Sequence, residues 1–111
     1  MAVQAQNPKT LNIKDVKQIG KLKEILTKFG IKCHYEKDIR KLFIKGKLIG
    51  CGSDYIHLNY NDDIDITVLK FKHKDTITIR IENSITEERL EINLPFPFDI
   101  WYVWPYLRIQ F

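Results

Sequence analysis

Cys33, His34, Cys51 and His57 are the residues best suited to chemistry in the first half of the chain. Thiolate and imidazole are zinc ligands, so the set has the right inventory for a metal site. The spacing argues otherwise: Cys33 and His34 are adjacent, and neighbours on a strand point to opposite faces. Cys33 reads more simply as a small buried apolar residue. The segment Gly50-Cys51-Gly52-Ser53 joins a thiol and a hydroxyl to a nearby His57. A nucleophilic pair, however, needs its base within hydrogen-bond reach and a third group to orient it. Glycines around a thiol between two strands read as a turn, and no strand-to-helix step follows to make a phosphate loop. Asp62, Asp63 and Asp65 offer oxygen ligands without the regular spacing and glycine of a calcium loop; with Asn61 they read as a hairpin turn. No catalytic residue, metal site or cofactor is expected, and the chain reads as non-enzymatic.

Two other constellations could make contacts. Lys14, Lys17, Lys21 and Lys28 fall at offsets that form one stripe along a helix, away from its apolar sector. Such a stripe can follow a phosphate backbone, although Glu24 interrupts it and a solvated helix face needs no further explanation. At the other end, residues 96–111 hold seven of the thirteen aromatic residues. Read as one strand from about Trp101 to Phe111, that segment puts Val103, Leu107, Ile109 and Phe111 on one side. Tyr102, Trp104, Tyr106 and Arg108 fall on the other. Tyr, Trp and Arg are enriched at binding hot spots, and an aromatic ladder can also stack on unpaired bases. Pro105 marks the segment as an edge strand or a bulge.

The elements that must position these residues are legible from periodicity. Asn12 is a suitable N-cap with Asp15 in the first turn, Leu11 and Val16 can form a hydrophobic staple, and Ile19, Leu22, Ile25, Leu26 and Phe29 share one sector. Gly30 supplies a left-handed stop. From Ile31 the period becomes two. Strands are predicted around Ile31–Tyr35, Leu42–Leu48, Ile56–Tyr60, Ile64–Val68, Ile77–Ile81, Leu90–Leu94 and Trp101–Phe111. Gly46 is a kink or tight turn, Leu69 and Phe71 change parity and predict a β-bulge, and turns fall at 61–63, 73–75 and 83–84. The expected fold is α+β: one N-terminal amphipathic helix packed on a curved antiparallel sheet or small barrel of six to seven strands.

Lys45-Gly46-Lys47-Leu48-Ile49-Gly50, followed by Asp54-Tyr55-Ile56-His57-Leu58, resembles the glycine-rich second strand of Sm-like and SH3-like small barrels. The Asp and Asn positions of the Sm pattern are out of register here. The resemblance therefore implies barrel-like curvature and carries no function.

Composition sets the outer bounds. The 111 residues suit one domain, with 1–10 as a flexible tail and 11–111 as a single α+β unit. Apolar residues at 44% and charged residues at 29% imply a packed core. Met1–Thr10 lacks the basic and apolar stretches of a signal peptide, and no apolar run approaches the roughly 18 residues of a membrane span. Two cysteines imply no disulfide framework, so reduced thiols in the cytoplasm are the simpler expectation. Lysine exceeds arginine by 14 to 4, and isoleucine is heavily used, a bias of AT-rich genomes such as those of low-GC bacteria, their phages and mobile elements. The net charge of +4 is unevenly placed: residues 1–50 hold 12 Lys/Arg and 4 Asp/Glu, and residues 51–111 hold 6 and 10. The first functional expectation is a small regulatory protein that docks on a protein partner through an aromatic C-terminal edge strand bearing Tyr102, Trp104, Tyr106 and Arg108. Such an edge would also let two copies pair as a homodimer. The alternative is a nucleic-acid-binding domain using Lys14, Lys17, Lys21 and Lys28.

Overall fold

Alternating isoleucine, leucine and valine give most strands one buried face, and those faces meet in a single core. The computed structural model describes residues 9–71 and 75–111. Among them the fold is α+β, with one short α-helix and ten strands in two sheets. In chain order these are β1 (Lys9–Asn12), a 3₁₀ turn (Val16–Gln18), α1 (Gly20–Lys28), β2 (Cys33–Glu36), β3 (Lys41–Lys45), β4 (Lys47–Cys51) and β5 (Tyr55–Asn59). They continue with β6 (Ile64–Phe71), β7 (Thr76–Asn83), β8 (Arg89–Pro95), β9 (Asp99–Val103) and β10 (Tyr106–Gln110).

The larger sheet has the order β1-β8-β7-β6-β5-β4 and the smaller β2-β3-β10-β9. Strands β4 to β8 form an antiparallel meander, and β1 joins parallel to β8. Three strands exceed the seven that periodicity predicts. One is β1, and the other two arise where a predicted strand divides at Gly46 and at Trp104-Pro105. The barrel expectation gives way to two open sheets.

The helix begins later than its cap signal predicts. Asn12 does not cap it: its side-chain oxygen accepts from Asn93 Nδ2 at 2.8 Å, and Asn93 Oδ1 accepts from Thr78 Oγ1 at 2.6 Å. This three-residue chain crosses the outer face of the larger sheet and holds β1 extended against β8. Lys9 and Thr10, which composition places in the tail, thus belong to a strand. Asp15 instead caps the 3₁₀ turn, accepting from the Lys17 amide at 2.9 Å. The apolar sector holds: Ile19, Leu22 and Leu26 are fully buried, and Ile25 and Phe29 pack partly against the core. Gly30, at φ +94°, ends the helix in the left-handed conformation.

The predicted bulge after Val68 is absent. The β6–β7 register runs unbroken from Ile64↔Asn83 to Phe71↔Thr76, and the irregularity lies in β4 between Leu48 and Gly50. Leu69 stays on the outer face of the sheet, opposite Thr78, which is itself buried there. Leu69 and Phe71 are half-buried on that face, so they are partly shielded without a change of parity. The turns at Asn61 and Asn83 form as predicted, each asparagine side-chain oxygen accepting from two following amides. Of the predicted turn at 73–75, His73 and Lys74 lie outside the described residues.

Gly46 is the joint between the sheets. It passes the chain from β3 to β4, its amide donates to Pro105 O at 3.0 Å, and its carbonyl accepts from Tyr102 Oη at 2.6 Å. A Cβ there would lie 3.3 Å from Asn59 O, so the close approach of two backbones favours glycine.

Candidate functional site

The candidates for catalysis and metal binding are separated by the fold. Cys33 lies on β2 of the smaller sheet and Cys51 on β4 of the larger. Cys51 pairs across from Ile56 and Gly50 from His57, which sets Cys51 and His57 on opposite sides of their ladder. His57 faces Asp65 instead, at 3.6 Å. Among the described residues no group of three or more His, Cys, Asp or Glu converges on a point. Burial pushes the Cys33 thiol above its ordinary pKa, with the positive charge of Lys23 opposing the shift.

The four lysines do not share one helix. Lys14 precedes the 3₁₀ turn, Lys17 lies in it, and only Lys21 and Lys28 stand on α1, with Glu24 between them. The stripe requires a helix running from Asn12, and the chain is extended there.

The C-terminal aromatic residues are also redistributed. The chain reverses at Trp104-Pro105, which are joined by a cis peptide bond, so β9 and β10 form a hairpin pairing Tyr106 with Val103 and Leu107 with Tyr102. Tyr102 therefore faces inward with Leu107 and bonds Gly46, whereas Trp104 projects from the hairpin tip at 72% exposure. Tyr106 and Arg108 lie on the opposite, outer face. The last strand, β10, is interior to its sheet, between β3 and β9, and the sheet's edges are β2 and β9.

That outer face is the most distinctive surface of the molecule. Register aligns His34, Phe43, Arg108 and Trp101 in one row across all four strands. At the usual strand spacing the row spans about 14 Å. Lys45, Tyr106 and Val103 form the next row; Glu36, Lys41, Gln110 and Asp99 form the row on the other side. Phe43 is the hub. Its ring centroid is 5.8 Å from His34 and 6.4 Å from Tyr106, the latter edge-on at 86°. The Arg108 guanidinium carbon lies 5.8 Å and Lys41 Nζ 6.0 Å from the same ring.

Charge distinguishes this face from that of the larger sheet. There, Arg80 bonds Glu91 at 3.0 Å and Arg89 faces Glu82 at 3.4 Å. On the smaller sheet, among the described residues, only His34 has a carboxylate partner, Glu36 at 3.5 Å. Among the described residues Lys41, Lys45 and Arg108 enter no ion pair, and Arg108 Nε is buried without a hydrogen-bond partner. Of this row, periodicity and residue type offer His34 only as a metal-ligand candidate and Trp101 only as the start of the last strand, and they leave Phe43 unassigned. The alternation Lys41-Leu42-Phe43-Ile44-Lys45 carries a signal for Phe43, a large ring on the polar face of an amphipathic strand. The row itself depends on cross-strand register between residues 34 and 108, which no local pattern encodes.

No helix among the described residues is long and apolar enough to cross a membrane. Comparison of the chain with models of known protein families, with curated proteins and with solved structures gave no match.

Proposed function

We propose that the protein is a non-catalytic binding module for single-stranded nucleic acid and that the outer face of the smaller sheet is its contact surface. The observation that carries this reading is the interleaving of unpaired cations with aromatic rings: Lys41, Lys45 and Arg108 among exposed Tyr106 and Trp101 and half-buried Phe43. Flat unpaired bases can stack on the rings while phosphates meet the cations, a combination that a neutral protein surface does not require. The test is fluorescence anisotropy with labelled oligothymidylate and with a duplex of matched length. Trp101→Ala or Phe43→Leu should weaken single-strand binding by about five- to a hundredfold while leaving the fold intact, since each removes one stacking surface. Equal affinity for duplex, or indifference to both substitutions, overturns the reading.

A second observation favours docking on a protein. Among the described residues, six of the ten exposed large apolar residues lie between Phe96 and Tyr106, beside the free edge of β9, and Phe98 is 86% exposed. An extended segment from a partner or a second copy could add to that edge. Phe98→Ser should then abolish capture of the partner with no effect on oligonucleotide binding.

A further inference from the structure

A groove opens where the two sheets join, beside the tip of the β9–β10 hairpin. It encloses about 540 Å³, and its walls include Lys32, Lys45, Lys47, Tyr60, Asn61 and Trp104. We infer that this groove is the exit path of the bound single strand: Lys45, Lys47 and Lys32 receive successive phosphates and Trp104 stacks the base that leaves the sheet. The inference rests on the sheet-face reading and adds a direction and a length to it.

The groove adjoins the face at Lys45. Lys45 belongs to both, pairing with Tyr106 on the sheet and lining the groove beyond it. Lys45 and Lys47 flank Gly46, where the chain passes from one sheet to the other, and both line the groove. Gly46 between them is buried and held by Pro105 and Tyr102, which fixes the base of both lysines. The Lys32 amide donates to Tyr60 Oη at 2.8 Å, which ties the backbone of the third cation to the groove wall. None of the three lysines enters an ion pair among the described residues. Trp104 is exposed while its neighbour Pro105 is anchored to Gly46, so the indole is presented from a fixed support. The volume is within the range of small-molecule sites and leaves room for a base beside Trp104.

The experiment measures anisotropy of oligothymidylates from about 4 to about 16 nucleotides over a range of salt concentrations, with wild type, Trp104→Ala and the double variant Lys32→Gln/Lys47→Gln. Poly-L-glutamate serves as a second polyanion. The shortest oligomers should bind all three proteins alike. Longer ones should bind wild type more tightly by about five- to a hundredfold, and Trp104→Ala should lose that gain. In the double variant the slope of log affinity against log salt should become shallower by about 1.4, the loss of two single-strand phosphate contacts. If the variants keep the length-dependent gain and the wild-type slope, the groove inference fails and the sheet-face reading stands. If no oligomer binds wild type, the sheet-face reading itself fails. Poly-L-glutamate binding as tight as the oligomers would overturn the nucleic-acid assignment in favour of an acidic protein segment.

Discussion

Tyr102 and Trp104 stand two residues apart and do opposite things. Tyr102 points into the molecule and donates to the carbonyl of the glycine that joins the sheets; Trp104 stands in water. Tyr102→Phe leaves that part-buried acceptor without its partner and should lower unfolding stability in urea by about 1 kcal/mol. Trp104→Ala should leave stability within about 0.5 kcal/mol of wild type in the same titration, because it creates no cavity and strands no polar group. The two thiols differ in a similar way. Cys51 is exposed, whereas Cys33 is half-buried and its thiol is held above its ordinary pKa, so little of it is thiolate near neutral pH. Iodoacetamide followed by mass spectrometry should modify Cys51 first, and Cys33 only slowly or after unfolding. Residue types alone made Tyr102, Trp104 and Tyr106 look equivalent; which of them faces water depends on a chain reversal at Trp104-Pro105 that alternation across the whole segment conceals.

At the level of elements, the side chains that define buried faces were legible and the boundaries were less so. Leu42 and Ile44, Ile56 and Leu58, Ile77 to Ile81 and Leu90 to Leu94 all lie where alternation places them, because one buried face enforces period two. The helix face was likewise correct from Ile19 to Phe29. Its start was not, since the preference of Asn12 for a cap competes with a cross-strand bond to Asn93, a residue far along the chain whose proximity only the fold creates. The core packing of α1 yields a direct prediction. Leu26→Ala removes a fully buried side chain and should cost about 2–5 kcal/mol in urea unfolding, whereas Lys28→Ala on the exposed side of the same helix should cost less than about 0.5 kcal/mol.

Across the whole molecule, the charge asymmetry of the sequence acquires a location. The basic first half contributes β2, β3 and the lysines beside Gly46, and the aromatic C-terminus contributes β9 and β10. Pairing β3 with β10 brings the two together on one face, so a composition bias at each end of the chain becomes a single surface of rings and unpaired cations. The excess charge was legible, but its meeting with the aromatic residues was not, because that requires long-range pairing. The most direct test of this account is the salt dependence of oligothymidylate affinity at neutral pH for wild type and Phe43→Leu. With three to five cations engaged, log affinity should fall with log salt at a slope between about −2 and −3.5 in both proteins. Phe43→Leu should bind more weakly at every salt concentration, because the substitution removes a stacking ring and no charge. A slope near zero, or a Phe43→Leu protein that binds as tightly as wild type, would contradict it.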